Sequence, residues 1–375
     1  MEPHNSPRFV TALARVGAWL IVAVLHQYLL AATPPALVVG WGNNMAGQAT
    51  GVPPLGFAAV PGSIPGSPCA TGAVTVAGQV LTNAVTISAG MSHGLALRAD
   101  GTAVGWGGNF LGEATGSSTP YPGMTNGAVT IAGQVLSNLT AVAAGRFHSL
   151  GLKRDGTVVA WGANESGQAA VPEGLGDVVA IAAGGNHSLA LKRDMTVVAW
   201  GQRNDPPNGL SNVVAVAVEG ETVAPALALM KNGTVLEWGP GAGPERARVV
   251  VTNAVAISAG ASHSLALLAD GTVFGWGLNG GGGATGVPTT NGSYSASGPV
   301  AINGQPLDHV IAITAGNGYS LALKRGGTVV AWGRWDNGLH PATVPAGLSN
   351  IVAIAAGENF CLAITTNAAP FALRR

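Results

Sequence analysis

The chain has 375 residues, of which 47% are hydrophobic and only 9% are charged, and its formal net charge is zero. The apolar content is sufficient to bury a core, so the 57 glycines indicate regular turns and close-packed strands rather than disorder. The balanced charge argues against a nucleic-acid partner, because an extended phosphate-binding face needs a clustered excess of Lys and Arg.

The first 32 residues differ in kind from the rest of the chain. Two arginines precede a short apolar run at 16–25, and two alanines follow it: Arg8, Arg15, Ala31 and Ala32. This arrangement is typical of a secretory signal peptide, and the run is short for a membrane span. We therefore expect 1–32 to be an export signal or, failing that, an uncleaved hydrophobic anchor or a misassigned start. Residues 33–375 then lie outside the cell, in the periplasm or in the cell envelope, with no stable membrane span unless the segment is uncleaved.

A Trp-Gly pair recurs seven times along the remaining sequence. The tryptophans are Trp41, Trp106, Trp161, Trp200, Trp238, Trp276 and Trp332. Six of the pairs close a phrase similar to AIAAGxxHSLALKRDGTVVAWG, and the basic spacing is about 38 residues, with insertions in some copies. A repeat of this size with several short strands predicts one blade of an all-β propeller.

The copy at 178–201, the third blade, shows how the repeat makes strands. An apolar run of small residues at 178–184 suits an inner strand, and two β-rich segments then flank a short turn, as in a hairpin. The turn pairs in the other copies are Asp100-Gly101, Asp155-Gly156, Asn232-Gly233, Asp270-Gly271 and Gly326-Gly327. These pairs favour a type I′ turn. Met195 replaces the glycine in the third blade, so we expect strain there or another turn type.

The order of the segments predicts how the ring closes. The segment 351–366 has no Trp-Gly strand after it, and the strand 36–42 has no hairpin partner before it. Pairing the two gives seven complete blades and removes open sheet edges. We therefore predict a seven-bladed propeller over 33–375, monomeric, whose stability depends strongly on 36–42.

The insertions occupy 43–83, 108–138 and 278–308, each between a Trp-Gly pair and the next inner strand. Parts of them, at 73–81 and 128–136, predict an added strand and turn. Their role stays open between partner binding, which long loops on a rigid scaffold often provide, and simple tolerance of insertion. The two cysteines, Cys69 and Cys361, either form a disulfide or remain two unpaired thiols with Cys361 buried.

The phrase AGxxHSLALKxDGTxxxWGxNxxGQ, clearest at 144–168, resembles the repeat of the regulator of chromosome condensation (RCC1) family over about 36–366. The short blade around 167–184 also resembles a secreted bacterial relative that inhibits β-lactamases. The resemblance implies a propeller that acts as a binding scaffold. The family's known activities, nucleotide exchange on the GTPase Ran, chromatin binding and ultraviolet sensing in a plant member, do not carry over. The tryptophans here occupy only the repeat's structural position, and fold alone does not assign function.

Four histidines recur at one point of the repeat: His93, His148, His187 and His263. Pro225, Tyr319 and Phe360 stand at the equivalent positions, a mixture that favours a structural role with a hydrogen bond to neighbouring backbone over a metal site. The Asp-Gly pairs are explained by turn propensity, and no nucleophile elbow or phosphate loop occurs. We expect no enzyme, metal or cofactor.

One surface cluster has the composition of a protein interface: Arg334, Trp335 and Asp336, with His340 nearby. Trp335 could equally fold back over the propeller. Comparable positions after other Trp-Gly pairs hold Phe110, Glu165, Arg203 and Asp205. We expect an exported scaffold that binds a macromolecule, preferably a protein, through these loops. The alternatives are an inhibitor of an extracellular enzyme, a carbohydrate or cell-wall binder, and an exchange-factor-like regulator.

Overall fold

The computed structural model describes residues 36–52, 69–120, 123–202, 205–218, 225–239, 248–289, 295–333 and 343–366. These residues form strands and turns without a helix, and so no helix among them is long and apolar enough to cross a membrane. The strands are β1 (Leu37–Asn43), β2 (Cys69–Ala73), β3 (Thr75–Val76), β4 (Gln79–Val80), β5 (Ala84–Ala89), β6 (His93–Arg98), β7 (Ala103–Gly108), β8 (Met124–Ala128), β9 (Thr130–Ile131), β10 (Gln134–Val135), β11 (Leu139–Ala144), β12 (His148–Lys153), β13 (Val158–Gly162), β14 (Val178–Gly184), β15 (His187–Lys192), β16 (Val197–Gly201), β17 (Val213–Val218), β18 (Ala226–Met230), β19 (Val235–Trp238), β20 (Arg248–Val251), β21 (Ala254–Ala259), β22 (His263–Leu268), β23 (Val273–Leu278), β24 (Ser295–Pro299), β25 (Ala301–Ile302), β26 (Gln305–Pro306), β27 (Val310–Ala315), β28 (Tyr319–Lys324), β29 (Val329–Gly333), β30 (Ile351–Ala356) and β31 (Phe360–Thr365).

Seven antiparallel sheets form the blades of a β-propeller, as the repeat predicts. Blades 1 to 6 are β5–β8, β11–β13, β14–β16, β17–β20, β21–β24 and β27–β29, and blade 7 is β30–β31–β1–β2. The innermost strand of each blade is the run of small apolar residues. Its short side chains let seven sheets approach one axis, which larger residues would prevent.

Blade 7 confirms the predicted closure of the ring. Strand β1 pairs antiparallel with β31, with Trp41 opposite Cys361, and β31 pairs in turn with β30. The two ends of the repeat region therefore share one sheet. Cys69 lies in β2 and is exposed, whereas Cys361 is fully buried, and the two do not form a disulfide. The structure thus agrees with the second of the two interpretations offered for the cysteines.

The turns of the blade hairpins are not type I′, so the turn type predicted from the sequence was wrong. In blade 2 the Gly156 amide donates to the Lys153 carbonyl (3.0 Å) and the Lys153 amide donates to the Thr157 carbonyl (2.9 Å). Only Gly156, at φ +83°, is left-handed, whereas Asp155 is not. The Asp155 carboxylate instead accepts from the Thr157 amide and hydroxyl, at 2.9 and 2.7 Å. The loop is therefore a three-residue turn with a glycine bulge, stabilised by an Asp side chain.

Type I′ turns occur instead within the insertions. After the fourth strands β2, β8 and β24, the chain forms the two-residue hairpins β3–β4, β9–β10 and β25–β26. Both central residues of each turn have positive φ, as in Ala132 (+50°) and Gly133 (+77°). The predicted added strand and turn at 73–81 and 128–136 are therefore present, and the segment 295–306 has the same form.

The core lies between the blades, and the repeat tryptophans fill it. Trp161 of blade 2 packs in one cluster with Leu95 and Leu97 of blade 1, and Trp276 of blade 5 packs with Leu227 and Leu229 of blade 4. Each of the seven repeat tryptophans except Trp200 is at most 5% exposed. The stability of the ring thus depends on contacts that join each blade to the one before it.

Candidate partner-binding face

The strand order creates two distinct faces. Each turn between the first and second strands of a blade lies beside the loop that follows the third strand, because neighbouring strands are antiparallel. Backbone bonds join the two: Ala163 donates to the Phe147 carbonyl (2.8 Å), and Gln202 to the Asn186 carbonyl (2.9 Å). We call this side the loop face and the opposite side, with the Asp-Gly hairpins, the hairpin face.

Histidine and serine side chains hold neighbouring blades together beneath the loop face. His93 Nε2 lies 2.9 Å from Ser149 Oγ, His148 Nε2 lies 2.9 Å from Ser188 Oγ, and His263 Nε2 lies 2.7 Å from Ser320 Oγ. Each serine belongs to the next blade and donates in turn to a carbonyl of the preceding loop, as Ser149 does to Glu113 at 2.8 Å. Because the hydroxyl donates there, it accepts from the histidine, whose Nε2 therefore carries the proton.

His187 departs from this pattern for a reason visible in the next blade. The residue that corresponds to the serine is Ala226, which has no hydroxyl. His187 instead uses Nδ1, which lies 2.7 Å from the Gln202 carbonyl of its own blade. The expected bond from histidine to backbone is thus made by His187, whereas Nε2 of each of the other three histidines lies beside a serine hydroxyl. That signal was available in the sequence, since Ser149, Ser188 and Ser320 directly follow the histidine position of their own repeats.

The histidines do not share a metal site among the described residues. No group of three His, Cys, Asp or Glu side chains there could hold an ion. Burial lowers the pKa of His93 to about 3 and the pKa values of His148 and His263 to about 4. These imidazoles are neutral in ordinary buffers, which suits their role as hydrogen-bond donors between blades.

The loops after the third strands are rigid because an asparagine organises each of the longer ones. Asn109 donates through Nδ2 to Thr115 Oγ1 (3.1 Å) and the Ser117 carbonyl (2.7 Å), and its Oδ1 accepts from the Ala114 and Thr115 amides. Asn44 and Asn279 make the corresponding bonds in blades 7 and 5. These loops therefore present their outer side chains from a fixed backbone.

Several of those outer side chains are apolar. Phe110 is 49% exposed, Leu111 is 44% exposed and, on the loop of blade 7, Met45 is 37% exposed. In the turns between the first and second strands, on the same face, the Arg146 guanidinium lies 5.3 Å from the centre of the Phe147 ring, and its Nε lies 3.4 Å from Met91 Sδ. This part of the loop face combines exposed apolar groups with an arginine stacked on an aromatic ring, a composition enriched in protein interfaces. We call it the arc, and its residues are Met45, Met91, Phe110, Leu111, Arg146 and Phe147.

A buried carboxyl lies beneath this arc. Glu113 is fully buried, its Oε2 accepts from the Leu111 amide (2.8 Å), and its Oε1 has no hydrogen-bond partner among the residues that the structure describes. Gln48 and Gln168 occupy the same position in blades 7 and 2, where their amide nitrogens donate to Asn43 and Asn186. Around Glu113, Gly108 stands at the position of Asn43 and Phe147 at the position of Asn186, so neither side-chain acceptor is present. Burial raises the pKa of Glu113.

Comparison with known proteins identifies the repeat. The family model described as "Regulator of chromosome condensation (RCC1) repeat" matches residues 84–113, 139–168, 178–205 and 254–282. The protein is a propeller that contains RCC1 repeats.

Similarity to individual proteins is lower. The human "Probable E3 ubiquitin-protein ligase HERC6" is 28% identical over 143 residues, which is 38% of this chain and only 13% of that protein. Human WBSCR16 superposes with a TM-score of 0.65 at 19% identity, covering 89% of this chain and all (100%) of WBSCR16. Prp20p from Saccharomyces cerevisiae gives 0.64 at 19% identity, covering 89% and 92% of the two chains. These structural matches support the fold alone.

The RCC1-repeat propeller places three of the predicted interface residues on the loop face. Phe110, Glu165 and Asp205 follow the third strands of blades 1, 2 and 3, and all three are exposed. They are spread over separate blades and do not form one cluster. The remaining predicted residues lie outside the described part of the chain: Arg203, Arg334, Trp335, Asp336 and His340.

The inner part of the arc, namely Met91, Arg146 and Phe147, was not among the interface residues predicted from the sequence. These residues occupy the two positions between the glycine and the histidine of the repeat. The pair differs among the six repeats that keep this spacing: Met91-Ser92, Arg146-Phe147, Gly185-Asn186, Ala261-Ser262, Asn317-Gly318 and Glu358-Asn359. Variation at one point within an otherwise regular phrase is a signal that could have indicated surface residues free of a structural role.

Proposed function

We propose that this protein is a non-catalytic scaffold that binds a partner protein through its loop face. The observation that carries the proposal is the apolar arc of Met45, Phe110 and Leu111 on loops whose backbones are fixed by Asn44 and Asn109. A fixed loop loses little conformational freedom on binding, so burial of its exposed apolar groups is offset less by ordering and contributes more to the free energy of binding. The arc continues to Arg146, whose guanidinium supplies donors at its edge.

Two RCC1-type structures with the same fold support a protein partner. One is described with binding properties of Prp20p to Gsp1p and histones, and the other is Kap60 bound to yeast RCC1 (Prp20), which superposes with a TM-score of 0.63 at 19% identity and covers 97% and 94% of the two chains. We extend to this chain only the use of the propeller as a protein-binding surface. The proposal includes Trp335 and its neighbours as further contacts.

The test is affinity capture on the immobilised full chain, followed by the binding curve of the captured protein. Replacing Phe110 and Leu111 together by alanine should weaken binding at least tenfold while the unfolding transition stays unchanged. The matched control replaces Val249 and Ile311, which are 62% and 45% exposed on other surfaces. If the Phe110/Leu111 variant binds the partner as tightly as the Val249/Ile311 variant, the assignment to the loop face is refuted. Trp335→Ala, run alongside, tests the second cluster.

We also propose that residues 1–32 direct export. The basic residues and the short apolar run before the first strand support this. Expression in a secreting bacterial host, with mass analysis of the product, tests it directly. Cleavage near Ala32 is expected, and it leaves β1 intact for ring closure. An unprocessed chain retained in the cytoplasm would refute export.

A further inference from the structure

Blade 2 has an open outer edge where blade 1 has a fourth strand. Among the strands of the described residues, its outermost strand, β13, pairs with β12 alone. The Lys153 amide donates to the Thr157 carbonyl at the turn. Hydrogen bonding alternates along an antiparallel ladder, so the backbone amide and carbonyl of Val159 point toward β12 and those of Ala160 point outward. The residue that corresponds to Ala160 in blade 1 is Gly105, which pairs with Gly127 of β8. No backbone group of the described residues pairs with the outward side of Ala160.

A groove of about 600 Å³ lies beside this edge. Hairpin β9–β10 and the segment that follows it form one wall, and Val159 and the hairpin 153–155 form the other. Ile131 and Val135 provide the apolar part of the first wall, and Val135 is 53% exposed. The groove is therefore partly apolar, and it borders the outermost strand of blade 2 at Val159.

One blade earlier, the chain's own strand β8 fills the equivalent space. Asn126 of β8 lies opposite Trp106, its Oδ1 accepts from the Ala77 amide (2.8 Å), and its Nδ2 donates to the Gly51 carbonyl (2.8 Å). Ala77 belongs to the turn of hairpin β3–β4, the counterpart of β9–β10. The asparagine thus fastens a fourth strand to the preceding hairpin and loop.

The corresponding groups beside blade 2 are present but unused. The repeat aligns Ala77 with Ala132 and Gly51 with Gly116. Neither the Ala132 amide nor the Gly116 carbonyl has a hydrogen-bond partner within the described ranges. The hairpin, the loop carbonyl and the strand edge that receive β8 in blade 1 are therefore all repeated here, without the strand.

We propose that this groove binds an extended segment of a partner protein as a fourth strand of blade 2. The segment runs antiparallel to β13, carries small residues like those of β8, and places an asparagine opposite Trp161 so that its amide bonds to Ala132 and Gly116. Like β8, it runs toward the hairpin face and ends near Lys153 and Arg154. Neither forms a salt bridge with a described residue, so an acidic residue after the strand completes the recognised pattern.

The test uses a fluorescent peptide, Met-Thr-Asn-Gly-Ala-Glu-Glu, which carries the β8 sequence and two acidic residues. Its affinity for the full chain is measured by anisotropy, and hydrogen exchange follows the amides of 158–162. Ala160→Pro removes the outward amide and leaves the bonds to β12. Ala199→Pro is the matched control, since Ala199 pairs with Leu189 as Ala160 does with Leu150, but no hairpin precedes its blade.

We expect binding with protection of 158–162, a loss of at least tenfold with Ala160→Pro, and no loss with Ala199→Pro. Replacing the peptide's asparagine by leucine should weaken binding about tenfold. Equal binding by the Ala160→Pro variant overturns the proposal, as does the absence of protection at saturating peptide. A dimer of the parent chain that dissociates in Ala160→Pro would assign the groove to a second copy and would also overturn it. None of these results depends on the loop face.

Discussion

Met195 stands where the hairpins of the other described blades carry glycine, and replacing it by glycine should stabilise the protein. Its φ is +65°, against +83° for Gly156 in blade 2. The hydrogen bonds around the two are the same: the Met195 amide donates to the Lys192 carbonyl (2.9 Å), and the Lys192 amide donates to the Thr196 carbonyl (2.9 Å). Methionine thus adopts the left-handed conformation and the turn type is unchanged. Of the two expectations from the sequence, strain at Met195 or another turn type, the structure agrees with the first.

The size of the effect follows from two opposing terms. A side chain in the left-handed region costs about 1–2 kcal/mol. Glycine loses roughly 0.5–1 kcal/mol of this advantage because it is more flexible in the unfolded chain. None of the apolar clusters among the described residues includes Met195, so little packing is lost. We therefore expect Met195→Gly to raise the free energy of unfolding by about 0.5–1 kcal/mol.

The midpoint of guanidinium unfolding is the appropriate measurement, because 1 kcal/mol shifts the melting temperature of so large a domain by only about 1–2 °C. Gly156→Met is the matched control, since both turns read Lys-Arg-Asp-X-Thr-Val. An ideal Cβ on Gly156 meets the Asp177 and Val178 backbone at 3.3–3.4 Å, so this variant should lose at least as much as the other gains. An unchanged midpoint in both variants would show that the turn tolerates either residue and would refute the reasoning.

Three further predictions concern the contacts between blades. Trp276→Ala should lower the free energy of unfolding by roughly 3–5 kcal/mol, because it leaves a cavity and an unused Glu237 oxygen; a loss below 1 kcal/mol in denaturant titration would contradict the buried position. Glu113→Gln should stabilise the protein at neutral pH: the pKa of Glu113 is raised by burial, so the parent loses stability as pH rises from about 4.5 through that pKa, and the variant should lack this slope. The lowered pKa values of His93, His148 and His263 predict the opposite trend in acid, with stability lost as pH falls from about 6.5 toward 4; pH-dependent melting that stays flat over this range would count against neutral buried imidazoles.

The sequence predicted those parts of the fold that depend on repetition. The strand at 36–42 lacked a partner, and so did the segment at 351–366, so counting alone led to the observed pairing of β1 with β31. The turn type was predicted wrongly because an Asp-Gly pair is compatible with two hairpins that differ in one φ angle. The deciding signal was the threonine at the end of the turn. Where the turn carries Asp, the threonine amide and hydroxyl both donate to the Asp side chain, as Thr102 does to Asp100.

The candidate site was harder to predict, because its residues come together only through the ring. Met91 and Arg146 are far apart in the sequence and meet because blades 1 and 2 are neighbours around the axis. Glu113 illustrates a second difficulty. A glutamate in a loop is ordinarily exposed, and only the alignment with Gln48 and Gln168 shows that this one replaces a buried amide.

The pairing of β1 with β31 also has a consequence for the time course of folding. Strand β1 is synthesised more than about 300 residues before the strand that completes its sheet. At about 5–20 residues per second, that delay is roughly 15–60 s. During this interval the apolar segment 37–41 has no native partner on one edge, so nascent chains should be most prone to aggregation until the last blade emerges. Bringing the ends together then requires closing nearly the whole chain as one loop. We therefore expect slow, concentration-sensitive refolding, although the individual blades are built from local hairpins.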